Sequence, residues 1–174
     1  HKEQSVDGII YDLGTCSTHL DNAERGFSFN KDGPLDMRFD NSKGLTVSDW
    51  INKAGKKEIM DVLYTFGDEK YSKLISEAII SHREKYLIDT TSKLAKIIEE
   101  IYPDKKTKIH PATKSFQAFR IFINNELDEF KKSLQSAKKI IKTNGTIVTI
   151  AFHSLEENIC LLYTSPSPRY ALES

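Results

Sequence analysis

The stretch VDGIIYDLG, Val6–Gly14, sets Ile9, Ile10 and Tyr11 in an unbroken apolar run and closes it on Asp12 and Gly14. Such a run, ending in an acid, predicts a short buried strand from Gly8 to Tyr11, of the kind found at the centre of a parallel α/β sheet. Ligands of these sheets sit just past the carboxyl ends of the strands. Asp12 therefore stands where chemistry is commonly found, although a carboxylate there can equally cap the turn that follows. Far along the chain, TIVTIAFH predicts a second buried strand, Thr146 to Phe152, rich in β-branched residues.

Between the two lies a different pattern. Residues 13–45 read as loop, and residues 46–102 as a block of helices. Thr46 or Ser48 can cap the first; Ile59, Val62, Leu63 and Phe66 share a face that stops at Gly67. Tyr71, Leu74, Ile75, Ala78 and Ile79 recur at helical spacing, as do Leu94, Ile97, Ile98 and Ile101 before Pro103. A basic loop follows, and then a single long helical pattern from Ser115 to Lys142, with the TNG at 143–145 as its stop. The order is strand, loop, helical block, long helix, strand, which predicts an α/β sheet interrupted by a helical insertion.

A chain of 174 residues is one domain, or one domain with an insertion. Its 39% hydrophobic and 29% charged content is that of an ordinary soluble protein. No apolar run reaches the roughly 20 residues needed to span a bilayer, and the first ten residues lack a signal-peptide pattern. The formal net charge is zero, but residues 1–40 hold eight acids against four bases, and residues 103–120 hold five bases against one acid. A local basic patch can steer a polyanion. Cys16 and Cys160 have no metal-ligand or framework spacing, so neither zinc nor a disulfide is suggested.

No two glycines form a Gly-x-Gly, there is no Gly-Lys-Ser/Thr, and there is no Gly-x-Ser-x-Gly. Dinucleotide, P-loop and nucleophile-elbow chemistry thus have no support in these residues. Three polar clusters are left. DLGTCSTHLDNAERGFSF is the first. The second is HPATKSFQAFRIFINNEL, where His110, Arg120 and Asn124 are polar within an apolar helix. The third is FHSLEE, where His153 and Ser154 follow a strand. Taken singly, each has an ordinary structural explanation, such as a snorkelling arginine or a histidine that satisfies local backbone.

Together, DLGTCSTHLDNAERGFSFNKDGPLDMRFD, HPATKSFQAFRIFINNEL and FHSLEE resemble the bacterial-type 16S ribosomal RNA cytosine-N4 methyltransferase family, the MraW or RsmH family, over roughly residues 6–159. The resemblance implies a class I, Rossmann-like methyltransferase with an inserted all-helical subdomain, using S-adenosylmethionine to methylate a cytidine of small-subunit ribosomal RNA. It implies partners in that RNA or the assembled small subunit, no membrane, and a bacterial cytoplasm or organellar matrix. Asp12 matches the family acid that contacts S-adenosylmethionine and is also the candidate catalytic group. His19 falls where many members have a cofactor-contacting glutamine, and Cys16 where many have serine.

The implied division is 1–45 as methyltransferase core, 46–108 as inserted helical subdomain, 109–159 as return to the core, and 160–174 as a tail outside the family. The chain reads as a fragment without the family's glycine-rich cofactor loop, and as inactive alone. RNA-facing candidates are Arg25 and Arg38 for phosphates, Phe27 and Phe29 for base stacking or loop packing, and Asp36 as a lock on Arg38 or on a backbone turn. To these are added Lys105, Lys106, Lys108, His110, Arg120, Asn124, His153 and Ser154. No metal is implied. Two other readings stay open: a non-catalytic RNA-binding module, which the basic segment alone permits, and a Rossmann-like small-molecule methyltransferase.

Overall fold

The computed structural model describes residues 5–103 and 109–164. The chain is mixed α/β. In order it runs β1 (Val6–Asp12), α1 (Ser17–Asp21), a 3-10 turn (Ala23–Arg25), α2 (Val47–Ile51), α3 (Lys56–Gly67), α4 (Ser72–Arg83) and α5 (Thr91–Glu99). It continues through α6 (Ala112–Ile123), α7 (Glu126–Ile140), β2 (Ile141–Ile150) and α8 (Ser154–Thr164). Among the described residues no helix is long and apolar enough to cross a membrane. The contacts divide the chain into two compact units, residues 16–124 and residues 1–15 with 125–174.

In the second of these, β1 and β2 pair in parallel, from Gly8 opposite Thr146 to Asp12 opposite Ile150. Side chains alternate across a strand, and one face of the pair is covered. There Tyr11, Leu13 and Ile147 pack with Phe130 and Leu134 of α7 and Ile159 of α8. Tyr11 meets the Phe130 ring edge-on at 5.4 Å, and its hydroxyl lies 3.0 Å from Ser133 Oγ. The opposite face, with Ile10, Val148 and Ile150, is open. The double burial expected of these strands therefore holds on one face only, because α7 and α8 both pack on the same side.

Two boundaries differ from expectation. The single helix expected over 115–142 is two helices, parted at Asn124 and Asn125. Asn125 takes the left-handed conformation, φ 49°, which asparagine tolerates better than most residues. Glu126, Asp128 and Glu129 then fill the first turn of α7, where the helix dipole favours acids. The expected stop at 143–145 lies instead inside β2. The register jumps from Val6 opposite Ile141 to Gly8 opposite Thr146, so Lys142–Gly145 form a bulge. A side chain on Gly145 would press on the Ile141 side chain and on the Asp7 carbonyl, so glycine keeps the bulge uncrowded.

Unit 16–124 is helical. The expected helices over 46–102 form, as α2 to α5. Thr46 caps α2 in a reciprocal box with Asp49, and Thr90 caps α5. The unit reaches beyond the expected 46–108 at both ends. Its core joins Ile59, Leu63, Ile75, Ile79, Leu94 and Ile98 to Phe116 and Phe119 of α6, and to Phe27, Leu35 and Met37 of the preceding loop. The reason is apolar burial: Leu35 is 1% exposed and Met37 fully buried, in one cluster with the helices' apolar side chains. Backbone bonds stitch the loop in, Leu35 N–H to Asp89 O at 2.8 Å and Thr91 N–H to Gly33 O at 2.9 Å.

Candidate functional site

Within unit 16–124 the loop from Glu24 to Gly44 is built around two arginines. Arg38 donates Nε and Nη2 to the two oxygens of Asp36 at 2.7 and 2.8 Å, and Nη1 to the carbonyls of Lys43 and Gly44 at 3.1 Å. Burial alone would raise the Asp36 pKa, but the Arg38 hydrogen bonds and the charges of Arg38 and Arg25 outweigh it and hold the carboxyl below its ordinary value. Arg25 donates Nη2 to the carbonyls of Arg38 at 2.7 Å and Phe39 at 2.9 Å. Gly26 sits at φ 70°, and a side chain there would run into the Pro34 carbonyl.

Asn124, at the end of α6, closes the loop from the other side. Its Nδ2 donates to Met37 O at 2.7 Å, and its Oδ1 accepts the Phe39 N–H at 2.7 Å. The structure thus gathers Arg25, Asp36, Arg38 and Asn124 into one network. Arg38 spends Nε, Nη1 and Nη2 on the loop itself, whereas Arg25 spends Nη2 there.

The aromatic residues separate into two stacks. Phe27, 7% exposed, has its ring against His19 at 5.0 Å and Phe39 at 5.4 Å, with the Arg25 guanidinium 5.6 Å away. Phe29 is half-buried and stacks on His110 at 4.1 Å, with the Phe116 ring edge-on. His110 Nε2 lies 3.0 Å from Glu99 Oε1, and its Nδ1 accepts the Ala112 N–H. Phe27 and Phe29 therefore pack the loop. Phe39, which sequence reasoning passed over, is the most exposed ring of the three.

His19 Nδ1 is 3.4 Å from Cys16 Sγ, and the thiol is 2.8 Å from Thr18 Oγ1. Burial, then the Arg25 charge, lowers the His19 pKa, so its imidazole is neutral at neutral pH. A neutral imidazole keeps one donor and one acceptor, as a glutamine side chain keeps both kinds. The Thr18 hydroxyl, then the His19 backbone, lowers the Cys16 thiol.

A further group was not singled out by the sequence. Glu69 is fully buried and accepts from Tyr102 Oη at 2.8 Å on each oxygen and from the Tyr71 N–H at 3.0 Å. Burial, then Glu69, raises the Tyr102 pKa. These side chains border a recess of about 320 Å³ shared with His110 and Lys114. Arg120 lies half-buried on α6, while Lys105, Lys106 and Lys108 fall outside the described residues.

In the strand unit, Asp12 ends β1 with its carboxylate exposed and without a hydrogen bond among the described residues. Gly14 follows at φ 102° beside the Phe152 ring. His153 stands just past β2, mostly buried, with Nε2 3.1 Å from Oε1 of the buried Glu156. Among the described residues neither ring nitrogen makes a hydrogen bond, so the contact is one of proximity. Glu156 Oε2 accepts the Phe152 N–H at 2.9 Å. The i, i+3 spacing in FHSLEE was the sequence signal for that pair. With Thr149, Phe152 and the exposed Ser154, His153 lines a recess of about 460 Å³. The unit thus presents an acid, an imidazole and a hydroxyl at the carboxyl ends of two parallel strands.

Residues 1–165 match the MraW methylase family. The match runs past Ile159, as does α8, which continues through Cys160 to Thr164. The chain is 48% identical over 160 residues to a ribosomal RNA small subunit methyltransferase H of Stenotrophomonas maltophilia, covering 92% of this chain and 50% of the relative. It is 48% identical over 158 residues to the protein of the same name from Rickettsia felis, covering 91% and 51%. The chain spans about half the length of the curated relatives it matches.

Proposed function

Since the chain belongs to the MraW methylase family, we propose that it is part of an enzyme that uses S-adenosylmethionine to methylate the N4 amine of a cytidine in small-subunit ribosomal RNA. The observation that carries this reading is the family match over residues 1–165, joined to relatives named ribosomal RNA small subunit methyltransferase H. In this reading the parallel strand pair is part of a class I, Rossmann-like core, and the helical unit is inserted into it. Small-subunit RNA, free or assembled, is the partner, and the cytoplasm the place of action.

The residues fit the cofactor. A free carboxylate at the end of a parallel strand suits the hydroxyls or ammonium of S-adenosylmethionine, and Asp12 supplies one. His19, neutral and half-buried, offers a single hydrogen bond. The bound cofactor supplies an electrophilic methyl on a sulfonium. What the protein must add is modest. The cytosine amine is a weak nucleophile, because its lone pair is delocalised into the ring. Holding it in line lowers the barrier by several kcal/mol, and Asp12 can accept one of its hydrogens as the nitrogen pyramidalises. A base inside structured RNA must first be exposed. The rigid Glu24–Gly44 loop, with Arg25, Arg38 and Asn124 holding its shape, is the surface we assign to that step. In the strand unit, His153 and Ser154 lie past the end of β2 and Asp12 at the end of β1.

The test is methyl transfer from labelled S-adenosylmethionine to purified small ribosomal subunits by a chain of the relatives' full length. Transfer to the subunits but not to free cytidine, lost in Asp12→Ala, is expected. Transfer to a small molecule instead would refute the RNA reading.

A further inference from the structure

Phe39 is held through both of its backbone polar groups. Its N–H is bonded to Asn124 Oδ1 at 2.7 Å and its carbonyl to Arg25 Nη2 at 2.9 Å. Both backbone groups are committed to side chains of other elements, so the backbone cannot turn to bury the ring. One side of the ring is against Phe27, nearly parallel at 19° with centroids 5.4 Å apart, and His19 is tilted against it at 5.2 Å. The rest is open, and Phe39 is 36% exposed where Phe27 is 7%. The result is a three-ring cluster of Phe27, His19 and Phe39 in which Phe39 is the most exposed phenylalanine, ordered before anything binds. Beside it, Arg25 is a cation bonded only to carbonyl oxygens among the described residues, with no carboxylate within ion-pair distance. Its charge acts on Asp36 from beyond ion-pair distance.

We propose that Phe39 is a base-stacking residue, on whose open face an unpaired nucleobase of RNA lies, with the adjoining phosphate drawn to Arg25. The proposal rests on the reading of the protein as a ribosomal RNA methyltransferase. Each part of the chemistry has its match. Every nucleobase has a π-face that prolongs an aromatic stack, and the phosphate answers a guanidinium that makes no ion-pair contact among the described residues. A ring already fixed by its backbone loses little freedom on binding. A stacked base accounts for affinity without reading sequence, so Phe39 is a positioning contact for the strand around the target.

The experiment uses this chain and a single-stranded RNA oligonucleotide carrying 2-aminopurine, whose fluorescence is quenched when it stacks. The wild-type chain is expected to bind with quenching, and Phe39→Tyr to do the same. Phe39→Leu, which keeps the apolar bulk and the fold, is expected to lose the quenching and to bind roughly tenfold or more weakly, the range for one stacked base. Its salt dependence should stay that of the wild type, because no phosphate contact is removed. Thermal melting of Phe39→Leu checks that the loop is intact. Quenching and affinity unchanged in Phe39→Leu would overturn the stacking role while leaving the RNA reading in place. A wild-type chain that shows no binding at low salt would overturn the stacking role too, while the RNA reading is decided by methyl transfer with the full-length chain.

Discussion

Replacing Tyr102 by phenylalanine removes one oxygen and tests how the helical unit tolerates a fully buried carboxylate. Tyr102 Oη donates to Glu69 at 2.8 Å on both oxygens, and Glu69 is 0% exposed. The remaining partners are the Tyr71 N–H at 3.0 Å and Ser115 Oγ at a long 3.4 Å. A hydrogen bond to a charged group contributes about 1.5–3 kcal/mol, and a carboxylate that cannot reach water leans on each donor it has. The expected loss is therefore about 1.5–3 kcal/mol near neutral pH, read from urea denaturation followed by circular dichroism. At roughly 2–4 °C per kcal/mol for a chain of this size, melting should fall by about 3–12 °C. The pH dependence sharpens the test. Burial, then Glu69, holds the Tyr102 pKa above its ordinary value in the folded chain. A group whose folded pKa is raised contributes stability that is complete below the unfolded value, about 10 for tyrosine, and is lost as pH rises through the folded one. The gap between wild type and Tyr102→Phe should therefore stay level up to about pH 9 and narrow above about pH 10. A variant as stable as the wild type, or a gap that does not narrow in alkali, would refute the network as drawn.

Gly26→Ala places a side chain at φ 70° against the Pro34 carbonyl; the left-handed strain and the clash together should cost about 2–4 kcal/mol in chemical denaturation, and a loss below about 1 kcal/mol would show that the loop yields freely. The Asp36 carboxyl is held below its ordinary value, so its pairing with Arg38 stabilises the fold above about pH 4 and is lost as pH falls below that. Asp36→Asn should therefore be less stable than the wild type at neutral pH and converge with it in acid, as acid titrations of both would read. Cys16 is exposed and its thiol lowered by the Thr18 hydroxyl. Iodoacetamide should label it faster than Cys160 near neutral pH, by mass spectrometry of digests, and Thr18→Val should slow that labelling. Equal rates at the two cysteines would count against the thiol geometry.

Much of the local structure was legible in the residues. The helices α3, α4 and α5 follow from apolar side chains three and four apart, and β1 from a short apolar run, because periodicity is imposed by the backbone of the element itself. The motifs that mark the family are legible for the same reason: they are contiguous. What covers each apolar stripe is a matter of three dimensions. Nothing in the spacing of Leu35 and Met37 says that they belong to the core of α3 to α6, or that Phe116 and Phe119 do. That follows from burial against residues distant in sequence. The helix break at Asn124 and Asn125 escaped a reading by periodicity because both halves keep an apolar stripe. It was decided by the αL turn at Asn125 and by an Asn124 side chain spent on Met37 and Phe39. The arginines of the loop were recognisable as cations, but that their donors would go to Asp36 and to backbone carbonyls was not. Likewise Phe27, Phe29 and Phe39 are one residue type in one stretch. Only the fold, by burying Phe27, half-burying Phe29 and pinning the backbone of Phe39, decides which is left facing solvent.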